Sequence, residues 1–239
     1  MSKKTSKISI LHLIKLILRS LLFVTVLVFD ILDRTEVLTQ NAILPIIVWI
    51  FFFVEMLLRF FPSKLESMGS QKQFARNYEP KGENIKPTNQ SWKVTALVAV
   101  IWLALNAVIG TLYYCGIIDR AILILIAIFY SVCDIICILF FCPFQTWFMK
   151  NRCCGTCRIY NWDFLMMCTP LIFIDSWYTR SLTLLAAVLF IKWEVTAFLH
   201  PERFCTDANH ALSCAECEEK LCHHKTQLLN FWKKEHIFK

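Results

Sequence analysis

Apolar residues in this chain form long runs that are separated by polar segments. A helix needs about 20 residues to cross a hydrocarbon core of about 30 Å, and six runs approach or exceed that length. They cover Leu13 to Leu32, Ala42 to Phe61, Trp92 to Gly116, Ala121 to Cys142, Ile159 to Tyr178 and Ser181 to Leu199. The pattern predicts an all-α polytopic membrane protein, with about six transmembrane helices in three hairpins.

The first and fifth runs are the weakest of the six. Lys15 and Arg19 lie in the opening turns of the first, and Asp163 and Asp175 lie near the ends of the fifth. A five-helix alternative would join the last two runs into a segment of about forty residues, which is too long for a single span. Six helices are therefore favoured, in a transmembrane domain over residues 1–199.

Charge indicates how these helices are oriented. Lysine and arginine accumulate in short cytoplasmic loops of membrane proteins. With the N-terminus inside, twenty of them fall on the inner face and only Arg34, Arg120 and Arg180 on the outer face. We therefore predict an integral, multi-pass protein with both termini cytoplasmic. Basic loops beside anionic lipid also account for the net charge of +7, so no nucleic-acid partner is implied.

Three polar segments face the predicted cytoplasm: the inner loops 62–91 and 143–158, and the tail 200–239. Loop 62–91 has three prolines and two glycines, which is typical of a flexible connector, with a short helix around Ser70 to Asn77. The tail is rich in cysteine and histidine. We expect it to form a small Cys-rich cytoplasmic cap.

Eight of the twelve cysteines lie on this predicted inner face. They are Cys142, Cys153, Cys154, Cys157, Cys205, Cys214, Cys217 and Cys222. A reducing cytoplasm disfavours stable disulfides, and clustered thiols there more often bind metal or do redox work. The thiols therefore point to metal or redox chemistry.

The tail spaces its cysteines as Cys205-x8-Cys214-x2-Cys217-x4-Cys222, followed directly by His223. Zinc accepts four cysteines, or three together with a histidine such as His223. An iron-sulfur cluster accepts the four cysteines. Cysteine ligands alone do not separate these two, so iron-sulfur, zinc and no metal all stay open.

The stretch "CPFQTWFMKNRCCGTC" carries the other four thiols, as Cys142-x10-Cys153-Cys154-x2-Cys157. The glycine between Cys154 and Cys157 permits the tight turn that two converging thiolates need. This stretch could hold its own metal centre. Alternatively it shares one site with the tail, in which Cys153 or Cys154 and Cys157 join Cys214 and Cys217.

Over about sixteen residues of 239, this stretch resembles the Cys-Pro and clustered-cysteine loops of membrane-bound ferredoxin-type proteins, which relay electrons to respiratory reductases. Those proteins carry repeated C-x2-C-x2-C-x3-C-P runs, which this chain lacks. The resemblance implies redox chemistry but assigns no role to an individual residue.

Ionisable residues inside the spans are functional candidates, because they are costly in hydrocarbon. Asp134 lies near the middle of the fourth span, with Tyr130 on the same helical face. Asn106 lies near the middle of the third span, where it could donate a hydrogen bond to Asp134; the alternative is a proton-handling or ligand role for the pair. Glu55 and Arg59 are spaced i, i+4, which predicts an intrahelical ion pair.

These features favour an electron-transfer protein in the lipid bilayer. It would have one or two cytoplasmic cysteine-ligated centres of the iron-sulfur type, and it would pass electrons to a quinone or to a redox partner protein. Asp134 and Tyr130 are the candidates for proton or quinone chemistry. The alternative is a membrane transporter or scaffold with structural zinc-binding cysteines. Common soluble catalytic motifs are absent from the sequence, and enzymatic activity is left open.

Overall fold

The computed structural model describes residues 7–32, 43–62, 65–82, 92–149 and 154–213. Within these ranges the chain is helical and has no β-strand, apart from an isolated bridge between Pro80 and Asn209. The α-helices are α1 (Lys7–Ile31), α2 (Ile43–Leu58), α3 (Met68–Gln71), α4 (Trp92–Tyr114), α5 (Arg120–Leu139), α6 (Asp163–Cys168) and α7 (Trp177–Leu199). Short 3-10 helices cover Ala75–Asn77, Cys154–Thr156, Arg158–Trp162, Thr169–Phe173, Pro201–Phe204 and His210–Leu212, and a π-helical turn covers Phe144–Phe148.

Four helices, α1, α4, α5 and α7, are long and apolar enough to cross a membrane by length and composition. Helix α2 is apolar but shorter, at 16 residues. The predicted all-α class is therefore confirmed, and the apolar helices support a membrane-embedded protein. The count of six spans stays a prediction, because the second and fifth runs are not long continuous α-helices.

Helices α1 and α5 run antiparallel. Val26 of α1 packs against Leu125 and Ile128 of α5, while Arg19, two turns earlier, donates a hydrogen bond to the carbonyl oxygen of Ser131. Helices α2 and α7 instead run parallel. Trp49, in the first half of α2, donates a hydrogen bond to Ser181 near the start of α7, and Lys192 farther along α7 donates to the carbonyl oxygen of Phe60, just after the end of α2. We call the end of the bundle where α1 and α4 begin, and where α2, α5 and α7 end, the basic end.

The turn between α4 and α5 has clear local causes. Gly116 follows α4 with a φ of 72°, the left-handed conformation that ends many helices and that glycine adopts without strain. Asp119 then caps α5, because its side chain accepts a hydrogen bond from the backbone N–H of Ile122 at 2.9 Å. The two long helices therefore form a tight hairpin at the end opposite the basic end.

The fifth apolar run folds differently from the single helix that was predicted. It has a 3-10 helix Arg158–Trp162, then α6, then a second 3-10 helix Thr169–Phe173. A 3-10 helix rises about 2.0 Å per residue and an α-helix about 1.5 Å, so these segments together reach about 29 Å. At the far end, Ile174 packs against Ile109 and Leu123 beside the α4–α5 turn.

Gly110 of α4 lies directly against the ring of Phe173, and a Cβ atom at this position would collide with that ring. Replacing Gly110 with valine is therefore expected to destabilise the protein by about 1–3 kcal/mol, the usual cost of overpacking. Thermal unfolding of the solubilised protein measures the loss.

Ala107→Val on the exposed side of the same helix is the matched control. In a Phe173→Ala background, the Gly110→Val change should cost clearly less, because the colliding ring is gone. Equal losses for the two valine variants would contradict the close packing of α4 on the fifth segment.

The loop expected to be a flexible connector is folded over residues 65–82, and that expectation is wrong there. The short helix predicted around Ser70 to Asn77 occurs as α3 and the 3-10 helix Ala75–Asn77. Gln73 is fully buried: its amide donates to the carbonyl oxygen of Gly155 and its side-chain oxygen accepts a bond from Asn161. Polar packing of this kind carries no apolar signal, so sequence composition does not reveal it.

The first part of the tail packs onto the same loop. Asn209 is fully buried, and its amide donates to the carbonyl oxygens of Lys72 and Arg203. The backbone N–H of His210 donates to the carbonyl oxygen of Glu79 at 2.7 Å. Residues 65–82, 154–162 and 200–213 thus form one polar layer at the basic end, which we call the cap layer.

Candidate functional site

A cavity of about 130 Å³ lies between α4, α5, α6 and the chain that enters the cap layer. Its wall is mainly apolar and aromatic, with a few polar groups, as is usual for ligand sites in proteins. The residues that line it are Trp102, Tyr130, Cys133, Asp134, Cys137, Ile138, Cys142, Phe144, Gln145, Cys157, Ile159, Tyr160, Asp163, Met166 and Met167.

This cavity brings together residues from two separate predictions. Asp134 and Tyr130 were the candidates for proton or quinone chemistry, and both line it. Cys142 and Cys157, two predicted ligands from "CPFQTWFMKNRCCGTC", line it as well. A molecule in the cavity would therefore lie beside both the proposed proton groups and the proposed metal-binding stretch.

Most of the other lining residues were not singled out as candidates from the sequence, and three of them carry ionisable groups near Asp134. Cys133 lies next to Asp134 on α5, and Tyr160 and Asp163 come from the fifth apolar run. Cys133, Asp134 and Cys137 fall within five consecutive positions of α5 and thus share one helical face. That spacing was visible in the sequence, whereas the approach of Tyr160 and Asp163 depends on tertiary packing.

Two linked sets of buried charges lie beside the cavity. In the first, Arg19 is 3% exposed and donates to Glu55 at 2.6 Å and to the carbonyl oxygen of Ser131 at 2.7 Å. Glu55 also accepts from Lys15 at 2.8 Å. The guanidinium of Arg19 reaches Asp134 at 3.5 Å. This set joins the middle of α1 to the last two turns of α2 and α5.

The second set is centred on Arg59, which follows α2 and is 3% exposed. Its guanidinium pairs with Glu66 of the cap layer and, at 2.7 Å, with Asp163 at the start of α6. It also lies over the ring of Tyr160, 5.0 Å from the ring centre. The Tyr160 hydroxyl in turn is hydrogen-bonded to Ser67. Arg59 therefore ties α2, the cap layer and the fifth segment together.

Two expectations about these polar residues are wrong. Glu55 and Arg59 do not pair along their helix, since each binds charges from other elements. Asn106 does not bond Asp134: its amide donates to the carbonyl oxygen of Trp102, and its Oδ1 is buried without a partner within the described residues. Arg19, from a distant segment, takes the place of both expected partners: it pairs with Glu55 instead of Arg59, and with Asp134 instead of Asn106.

The predicted metal ligands are only partly within the described residues. Cys153, Cys214, Cys217, Cys222 and His223 lie outside them, and Cys154 is described only as the first residue of a 3-10 helix. Among described side chains, no three His, Cys, Asp or Glu residues converge as a metal site. Cys157 and Cys205 are buried in the cap layer, at 4% and 7% exposure.

The two cysteine-bearing segments contact one common element. Gly155, between Cys154 and Cys157, accepts a hydrogen bond from Gln73. The adjacent Lys72 accepts one from Asn209, four residues after Cys205. The loop around α3 thus holds both segments at the same end of the bundle, as either two neighbouring centres or one shared centre requires.

No protein-family model, curated protein or solved structure matches this chain.

Proposed function

We propose that this chain is an integral membrane redox protein that passes electrons from a cysteine-ligated centre at the basic end to a quinone in the cavity beside Asp134. The observation that carries the proposal is the shared cavity wall. It contains two predicted ligands, Cys142 and Cys157, together with the two predicted proton groups, Asp134 and Tyr130. Electron and proton donors for one acceptor would then meet at one place.

The size of the cavity fits the ring of such an acceptor. An engineered apolar cavity of about 150 Å³ binds a benzene molecule, and the cavity here measures about 130 Å³. A quinone ring takes up two electrons and two protons when it becomes a quinol. The aromatic side chains of Trp102 and Tyr130, with centroids 4.7 Å apart, offer a flat apolar contact for it.

For the centre itself, we propose thiolate ligation by Cys142, Cys153, Cys154 and Cys157 and by Cys205, Cys214, Cys217 and Cys222, with His223 as an alternative ligand. Iron-sulfur ligation is favoured over zinc because the cavity beside Cys142 and Cys157 offers a place for an electron acceptor. When bound, such a cluster supplies single electrons. Burial of Cys157 and Cys205 and the hydrogen bonds of the cap layer hold the chain in place around it.

We further propose six spans with both termini cytoplasmic. The direction of the long helices supports six passes. Helices α1 and α4 both begin at the basic end, so the chain returns to that end through α2; α5 and α7 both end there, so the chain leaves it again through the fifth segment. The fifth segment reaches about 29 Å, close to the thickness of a hydrocarbon core, although it contains only 16 residues from Arg158 to Phe173. Within the described ranges, Arg120 and Arg180 lie at the opposite end and the other basic residues lie toward the end where α1 begins, in line with the positive-inside rule.

Anaerobic purification followed by visible absorption, iron and sulfide analysis tests the proposed centre. We expect a brown protein that dithionite bleaches, with iron and acid-labile sulfide in stoichiometric amounts. Replacing Cys157 with serine should lower the iron content at least several-fold, because a hydroxyl is a poorer ligand for iron than a thiolate.

Cys115→Ser is the matched control, since Cys115 is exposed at the opposite end of the bundle. Its iron content should equal that of the unmodified protein. A colourless protein with stoichiometric zinc would instead support the structural-zinc alternative and contradict electron transfer.

A further inference from the structure

We propose that Asp134 binds one proton in the resting protein, because the buried ion pairs around the cavity contain one carboxylate more than they contain cations. The binding of this proton does not depend on the proposed function. Its use as one of the two protons that a quinone takes up does rest on that function.

The charge imbalance follows from counting the linked ion pairs of the described residues. Two cations, Lys15 and Arg19, face Glu55 and Asp134. A single cation, Arg59, is shared by Glu66 and Asp163. Three cations therefore face four carboxylates, which leaves one negative charge in excess.

An uncompensated charge is expensive away from water, and a buried carboxylate without a partner binds a proton instead. This argument also decides which carboxylate takes it. Glu55 accepts two charged hydrogen bonds of 2.6 and 2.8 Å. Asp163 pairs with Arg59 at 2.7 Å and accepts the backbone N–H of Phe164 at 2.9 Å. Glu66 also pairs directly with Arg59.

Asp134 is the most weakly held of the four. Within the described residues its ion-pair partner is Arg19, and the distance between the two is 3.5 Å, at the limit of a hydrogen bond. Its side chain is 22% exposed, compared with 9% for Asp163 and 7% for Glu55, because it faces the cavity. Protonation of Asp134 therefore weakens only its long ion pair with Arg19, and the proton remains accessible to a molecule in the cavity.

Other titratable groups surround this site and compete for the proton. From α1 comes His12, whose Nδ1 is bonded to the carbonyl oxygen of Ile8. Further groups on the cavity wall or beside it are Tyr130, Cys133, Cys137, Cys142, Cys157, Tyr160 and Cys168. Phenols, and thiols that bind no metal, are already protonated near neutral pH, so they add no charge of either sign in the metal-free protein. Among the described groups named here, His12 is thus the alternative carrier of a compensating positive charge.

If a quinone were reduced in the cavity, the Asp134 O–H bond would break as its proton moves to a quinone oxygen. The quinone would take its two electrons from the cysteine-ligated centre, which would be oxidised one electron at a time. The resulting carboxylate takes a new proton from water. The second proton of the quinol comes from Tyr130 or from water, and Tyr130 would be reprotonated in the same way. Arg19 then pairs with the transient Asp134 carboxylate.

Infrared spectroscopy of the full-length protein in lipid nanodiscs tests the proton site without quinone or metal turnover. At neutral pH we expect one C=O stretching band of a protonated carboxylic acid, which shifts to lower frequency in D2O. Asp134→Asn should abolish the band. Asp175→Asn should retain it, because Asp175 is 76% exposed and paired with Arg180 at the opposite end.

A second variant separates charge balance from mere burial of Asp134. Glu66→Gln removes the excess carboxylate but leaves Asp134 in place, so Asp134 should ionise and the band should disappear. A band that persists in Asp134→Asn or in Glu66→Gln would overturn the proposal. The absence of a band from the unmodified protein would also overturn it, and would place the compensating charge on His12. Failure of the proposed function appears separately, in the metal analysis.

Discussion

Replacing Arg19 with methionine is expected to destabilise the protein by about 3 to 5 kcal/mol, the loss measured when one partner of a buried ion pair is removed. Arg19 is 3% exposed and holds Glu55, Asp134 and the Ser131 carbonyl oxygen together. Without it, the linked carboxylates lose a cation and α1 loses its polar contact with α5. Denaturation of the solubilised protein, followed by fluorescence of its eight tryptophans, gives the change in unfolding free energy.

Arg180→Met is the control, because Arg180 is 73% exposed and its pair with Asp175 is worth at most about 1 kcal/mol. The double variant Arg19→Met with Glu55→Gln removes one charge of each sign, so it should recover part of the loss. A single variant as stable as Arg180→Met would show that the buried ion pairs do not hold α1 in place.

Replacing Arg59 with methionine is the second change with a large expected effect, again about 3 to 5 kcal/mol. It leaves Glu66 and Asp163 facing each other without their shared cation, and it removes the cation-π contact with Tyr160. Because Arg59 joins the cap layer to the helices, we also expect residues 65–82 to become sensitive to protease while the helices stay folded. Limited proteolysis with mass spectrometry locates the cleavage sites.

Arg76→Met provides the comparison within the same loop, since Arg76 is exposed there. It should leave both the unfolding free energy and the cleavage pattern unchanged within about 0.5 kcal/mol. Rapid proteolysis of both variants would mean that the loop opens independently of its pairing with Arg59.

The sequence predicted the long helices well, because a run of apolar residues is a local property. The third and fourth runs, predicted at Trp92 to Gly116 and Ala121 to Cys142, occur as Trp92–Tyr114 and Arg120–Leu139. Helix ends moved by at most a few residues, where Gly116 and the Asp119 cap determine the turn. The ends of helices depend on single residues, so hydropathy locates them less sharply than it locates the apolar runs themselves.

Polar contacts were predicted poorly, because their partners are distant in sequence. Glu55 and Arg59 are neighbours on one helix, yet Glu55 pairs 36 residues away with Arg19, and Arg59 pairs 104 residues away with Asp163. Local spacing identifies the residues that need partners but not the partners themselves. The same holds for Gln73, Asn161 and Asn209, whose buried amides build the cap layer.

Of the candidate site, the sequence indicated Asp134, Tyr130 and the cysteine stretch, since ionisable residues in apolar runs and clustered thiols are visible in the chain itself. It did not indicate that they share a cavity. That depends on the fold of the fifth segment, which places Tyr160 and Asp163 opposite α5. The fifth run was interpreted from its mixed composition as a weak span. The sequence did not indicate that its irregular helix also forms one wall of the cavity.

The mixed winding of this fifth segment also makes its length adjustable. Ten of its residues, in Arg158–Trp162 and Thr169–Phe173, are in 3-10 conformation, and each would shorten the segment by about 0.5 Å on passing to α-helix. Full conversion would retract it by about 5 Å, close to one helical turn. Asp163 lies between these two stretches, so relaxing either of them to α-helix would shift its carboxylate by about 2.5 Å relative to that end of the segment.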